Sequence, residues 1–182
     1  MNHKIAKTIL CTWVVCLGGA AVAAPGISKT DYDAYKDRAA SDYKTARDQC
    51  NSLAGTSKDI CIAQAKDARV HTESDAEAQY KNTPSALADA RKAEAKADYD
   101  VNKAKCDSMA GNAKDVCVKQ AKATLESAEA DAKANQKTTE AQNDAAKDKN
   151  TADYKVAREK CDTYAGPTKD ACVANAKAQY GM

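Results

Sequence analysis

The chain contains no phenylalanine, one tryptophan and two histidines among 182 residues. It has no Cys-x-x-Cys pair, no glycine-rich phosphate loop and almost no imbalance of charge. Trp13 and His3 lie in an N-terminal segment expected to be removed, which leaves His71 as the one histidine of the mature chain. One histidine excludes His-based triads and most zinc sites. On a charged helix it is expected to be an exposed side chain, so no catalytic, cofactor or metal-binding residue is expected. Without a Cys-x-x-Cys pair, a thioredoxin-like redox role has no support. Carboxylates are many but evenly spread, and no isolated acid pair on an apolar face marks a glycosidase. Acids and bases alternate, so no basic face offers itself to nucleic acid or anionic lipid. The expectation is a non-enzymatic protein.

The first residues follow the three-part plan of a secretory signal. Lys4 and Lys7 supply positive charge, Ile9 to Ala21 is an uncharged apolar run, and Ala21-Val22-Ala23 offers small residues to a signal peptidase. Pro25 would obstruct cleavage after Ala24, so the cut is placed after Ala23. The apolar run is short of the roughly 20 residues a membrane span needs. Cys16 follows Val14-Val15 rather than the small residue a lipidation site wants. The expected address is the periplasm, with no stable membrane insertion once the signal is gone. Removing Lys4 and Lys7 from 28 basic side chains leaves 26 against 26 acidic ones. Of eight cysteines, Cys11 and Cys16 leave with the signal; the remaining even number, in an oxidising compartment, reads as a disulfide framework.

What the mature chain has in quantity is Ala, Lys, Asp, Glu and Gln. Such a composition suits helix and also suits disorder. A core of alanine with a few Val, Ile, Leu and Tyr buries little area, at about 25 cal/mol per Å². Internal repetition decides for helix. Asp42-Tyr43, Cys50, Ala54-Gly55, Lys58-Asp59, Cys61 and Ala65-Lys66 recur without gaps as Asp98-Tyr99, Cys106, Ala110-Gly111, Lys114-Asp115, Cys117 and Ala121-Lys122. They recur again as Asp153-Tyr154, Cys161, Ala165-Gly166, Lys169-Asp170, Cys172 and Ala176-Lys177. A period slightly beyond about fifty residues fits a unit of two long helices.

Within the unit, Gly55, Gly111 and Gly166 suit a left-handed residue just past a helix end. Pro167 fits the first helical position of the next helix, and Asp59, Asp115 and Asp170 fit its first turn, where the dipole favours negative charge. The cysteines stand at matched offsets on either side of each glycine, roughly 8 Å from the turn at 1.5 Å per residue. Repeat symmetry therefore selects Cys50–Cys61, Cys106–Cys117 and Cys161–Cys172, each bridge contributing on the order of 2–3 kcal/mol. Tyr43, Tyr99 and Tyr154, each seven residues before a cysteine, are expected to pack beside the bridges.

The reading is an all-α protein: a signal peptide (1–23) and three antiparallel helical hairpins (24–83, 84–138 and 139–182), each with its own disulfide. Ser28 to Asp31 resembles a helix start, and Thr83-Pro84 caps and opens the second hairpin. Thr139 to Gln142 matches a capping box; with no proline there, the alternative is a helix unbroken from Ala113 towards Asn150. Between Ser85 and Ala110, Ala86, Ala90, Ala93, Ala97 and Ala104 form one narrow stripe, and Ala88, Ala95, Tyr99 and Cys106 a second. Charged faces separate them, Glu94, Asp98 and Lys105 on one and Lys96, Asp100 and Lys103 on the other. Two apolar stripes allow two neighbours.

The run Cys-Asp-Ser-Met-Ala-Gly-Asn-Ala-Lys-Asp-Val-Cys from Cys106 to Cys117, with Asp98-Tyr99 before it, resembles a family of exported Ala/Lys-rich proteins of Gram-negative, especially beta-proteobacterial, bacteria. The likeness covers nearly all of the mature chain. Some members carry a loose TolA-like label that rests on helix composition; the TolA helical region lacks this cysteine register, so its role is not carried over. The resemblance implies a periplasmic address and assigns no activity and no functional residues. Together these point to a structural or interaction protein of the envelope with an unknown protein partner. The alternative is a stress-related binding protein, either a holdase or a thiol-based metal binder.

Overall fold

The computed structural model describes residues 26–182, so the signal segment, with its cleavage site, lies outside the described residues. Five helices follow one another: α1 (Lys29–Gln49), α2 (Gly55–Lys81), α3 (Pro84–Cys106), α4 (Gly111–Cys161) and α5 (Gly166–Tyr180). A single 3-10 turn, Cys50–Ser52, ends the first helix. No strand occurs among the described residues. The caps follow the local sequence where a hydroxyl is present. Ser28 Oγ accepts from Asp31 N at 3.1 Å, and Thr83 Oγ1 accepts from Ala86 N at 3.1 Å with Pro84 opening α3. Asn82, at φ 47°, closes α2.

Each helix packs only on its neighbours in the chain: α1 on α2, α2 on α3, α3 on α4, α4 on α5. The array is therefore open, and its stability is a sum of neighbouring seams. The seams are built from alanine. Among the described residues, beyond the first cysteine of each pair, Val101 is the one buried apolar residue larger than alanine. Both stripes of α3 are used, since α3 contacts both α2 and α4. Ala86, Ala88, Ala90, Ala95 and Ala97 are buried, while Ala93, Ala104 and Tyr99 are half-buried.

α4 runs unbroken for 51 residues, about 76 Å at 1.5 Å per residue. Thr139 caps nothing: its hydroxyl donates to the carbonyl of Asn135 one turn back. The boundary at 138/139 thus falls inside a helix that the second and third hairpins share. The first part of α4 lies along α3, and its last turns carry α5. Every residue from 137 to 150 between them is exposed. The bridges of the first two hairpins end the array on one side, and the third stands at the far end of α4.

Two local expectations are corrected. The three glycines do take positive φ (57°, 57° and 58°), but each opens the following helix after a short turn instead of sitting directly past the preceding one. Asp59, Asp115 and Asp170 become the fifth helical residue, beyond the first turn. The alanines before the glycines are extended and provide no side-chain cap. What braces the turn instead is a carboxylate from the residue after the first cysteine: Asp107 pairs with Lys114 at 2.8 Å and Asp162 with Lys169 at 2.9 Å. In the first hairpin that position is Asn51.

Candidate functional site

The expected cysteine pairs are those that form: Cys50–Cys61, Cys106–Cys117 and Cys161–Cys172, with Cα–Cα distances of 5.7, 5.6 and 5.7 Å. In each pair the first cysteine is buried and the second half-buried. Gly55, Gly111 and Gly166 serve the turns between them and line no site. Two helical turns, about 10 Å, separate Tyr43 from Cys50 along the axis. The Tyr43 ring instead lies under the Arg69 guanidinium at 5.5 Å, and Tyr99 under Lys96 at 4.8 Å.

The polar chemistry collects on α3, on the charged face carrying Glu94 and Asp98. That face is covered in part, because α2 and α4 stand on either side of it; one hollow there is lined by residues of all three helices, among them Asp75, Arg91 and Thr139. Glu94 is accordingly buried, at 5 % exposure, although it stands on a charged face of the helix. Arg91 reaches it at 2.6 Å and reaches Asp75 of α2 at 3.7 Å. This pairing holds the Arg91 guanidinium above its ordinary value. The second carboxylate oxygen of Glu94 has no hydrogen-bond partner. Glu94 and Asp98 line a groove of about 400 Å³ between α3 and α4, with Leu87 and Asp131 on its walls.

His71 is also placed differently from the expectation of an exposed side chain. Its side chain is 38 % exposed and lies between two aspartates. Its Nε2 stands 3.5 Å from Oδ1 of Asp67, one turn back on α2, and 3.7 Å from Oδ1 of Asp98 on α3. Asp67 Oδ1 and His71 Nε2 are both shut off from solvent, and neither has a hydrogen-bond partner. Burial pushes the Asp67 carboxyl above its ordinary value; His71 opposes that shift, Asp98 adds to it and Lys105 opposes it. Sequence reasoning missed this cluster because its third member is 27 residues from His71 and meets it only across the seam between hairpins. The available hint was the i,i+4 pair Asp67 and His71 on one helix face.

Comparison of the chain with protein-family models, with curated proteins and with solved structures gives no match. Among the described residues no helix is long and apolar enough to cross a membrane.

Proposed function

We propose that the protein is a non-enzymatic helical spacer and scaffold of the bacterial envelope, working in the periplasm. The observation that carries this reading is the exposed stretch 137–150 of α4, a single helix joining two packed parts of the molecule. A helix polar all round is the expected form of a bridge through solvent. Both ends are locked by disulfides, which persist in an oxidising compartment. Each hairpin tip also presents a large apolar side chain at the same register position: Leu53, Met109 and Tyr164 are 43 %, 47 % and 52 % exposed. Tips of this kind suit contact with a protein partner, while the shaft between them stays solvated. A thiol-based metal binder would need reduced cysteines, and all six described cysteines are paired.

The reading is tested with the full chain expressed in a Gram-negative host. Osmotic shock should release a product beginning at residue 24. A photo-crosslinking residue at position 53, 109 or 164 should trap a discrete partner, whereas one at 144 or 148 should not. Retention in the cytoplasm would overturn the address. Efficient suppression of aggregation of a denatured client at equimolar chain would replace the scaffold with the holdase.

A further inference from the structure

The cluster where the first hairpin meets the second has the makings of a ligand site. We propose that Asp67, His71 and Asp98 form a binding site for one divalent transition-metal cation of the zinc class, clipping α2 to α3. The inference stands independently of the scaffold reading.

Three observations carry it. The donor set is one imidazole nitrogen and two carboxylate oxygens, and the donor atoms all lie within 4.8 Å of one another. Zinc takes such donors at about 2.0–2.1 Å, so neighbouring donors in a tetrahedral shell are about 3.4 Å apart. The separations here, 3.5 and 3.7 Å on either side of His71 Nε2, lie close to that edge.

The second observation is the state of the donors. Asp67 Oδ1 and His71 Nε2 are sealed from water and hydrogen-bonded to nothing. Leaving a buried polar atom unmet costs free energy that a shared cation would relieve. The two are also on one helix face, four residues apart, the spacing by which a helix offers two ligands to one ion.

The third is the arrangement around them. Asp98 keeps 59 % of its side chain exposed, so one side of the cluster is open for an ion to enter and for water to complete the shell. Calcium and magnesium prefer six or more oxygens, often several of them water, and an imidazole suits them poorly. The positions that match Asp67 and His71 in the second hairpin are Ala123 and Ser127, so the repeat does not supply a second site.

The test uses the tag-free chain 24–182 with its disulfides intact, stripped with chelator and titrated with zinc chloride by calorimetry. One zinc per chain is expected, with an upward shift of the thermal melt. His71→Ala and Asp98→Asn should each weaken binding by more than about 100-fold, beyond the loss of a merely supporting partner, and abolish the shift. Both side chains are partly exposed, and circular dichroism should show the helix content of both variants unchanged. Asp100→Asn, a neighbouring half-buried carboxylate outside the cluster, should keep full affinity. Cobalt at the same site should give the visible absorption of a low-coordinate shell. Absence of zinc binding, equal binding by His71→Ala, loss of binding in Asp100→Asn, or magnesium binding as tight as zinc would each overturn the proposal.

Discussion

At the residue scale, the turn glycines and their flanking aspartates define the hairpin. Gly111 adopts φ +57° with nothing within 4 Å of where a Cβ would sit. Replacing it therefore meets no clash and costs only backbone conformation. Gly111→Ala should lower stability by about 1 kcal/mol, and Gly111→Asn by less, in urea denaturation. Asp107 and Asp162 are each held below the ordinary carboxylate value of 3.8 by a hydrogen bond from Lys114 or Lys169. A folded value below the unfolded one means a contribution present above pH 3.8 and lost as pH falls through the lowered folded value. Carboxyl NMR should show both groups titrating below 3.8. Asp107→Asn should flatten the acid dependence of the second turn, as Asn51 already does in the first. Both carboxylates are exposed, so the effect is small.

At the scale of elements, the bridges act where helices have little else. Apart from Cys161, Ala176 is the buried apolar residue of the last hairpin, and α5 has α4 as its single neighbour. Removing Cys161–Cys172 by double serine substitution should therefore melt α5 outright. Hydrogen exchange should show residues 166–180 unprotected and α3 unchanged. The same substitution at Cys106 and Cys117 should cost about 3 kcal/mol, the loop entropy returned to the unfolded chain, without detaching either helix. There α3 is also held by its alanine seam with α2 and by the Arg91–Asp75 and Asp100–Lys66 pairs across that seam.

At the scale of the molecule, α4 sets the shape. With 51 residues it spans about 76 Å, so small-angle scattering should give a maximum dimension of at least that length. Ala145→Pro places a break in the exposed stretch. A proline in a helix interior costs about 3 kcal/mol. Because no neighbour covers residue 145, that loss should stay local. The melt of α1–α3 should be unchanged while the scattering profile shows a bent or swinging arm. A global loss of stability would mean that α4 is supported along its whole length.

The helical class, the three hairpins and the cysteine partners were legible in the chain itself, because each rests on chemistry within about a dozen residues. A glycine between matched cysteines, repeated three times, a threonine before a proline at the start of the second hairpin and the composition of the helices all act locally. The course of the chain at Thr139 was legible only as two options; without a proline or glycine to stop it, the hydroxyl turned back to Asn135 and the helix continued. Tertiary packing decided what lies between hairpins. A helical wheel shows Glu94 and Asp98 on a charged face, but whether that face meets water depends on where α2 and α4 stand on either side of it. The same packing brought His71 and Asp67 to Asp98, a meeting of residues on two hairpins whose spacing in the chain carries no trace of it.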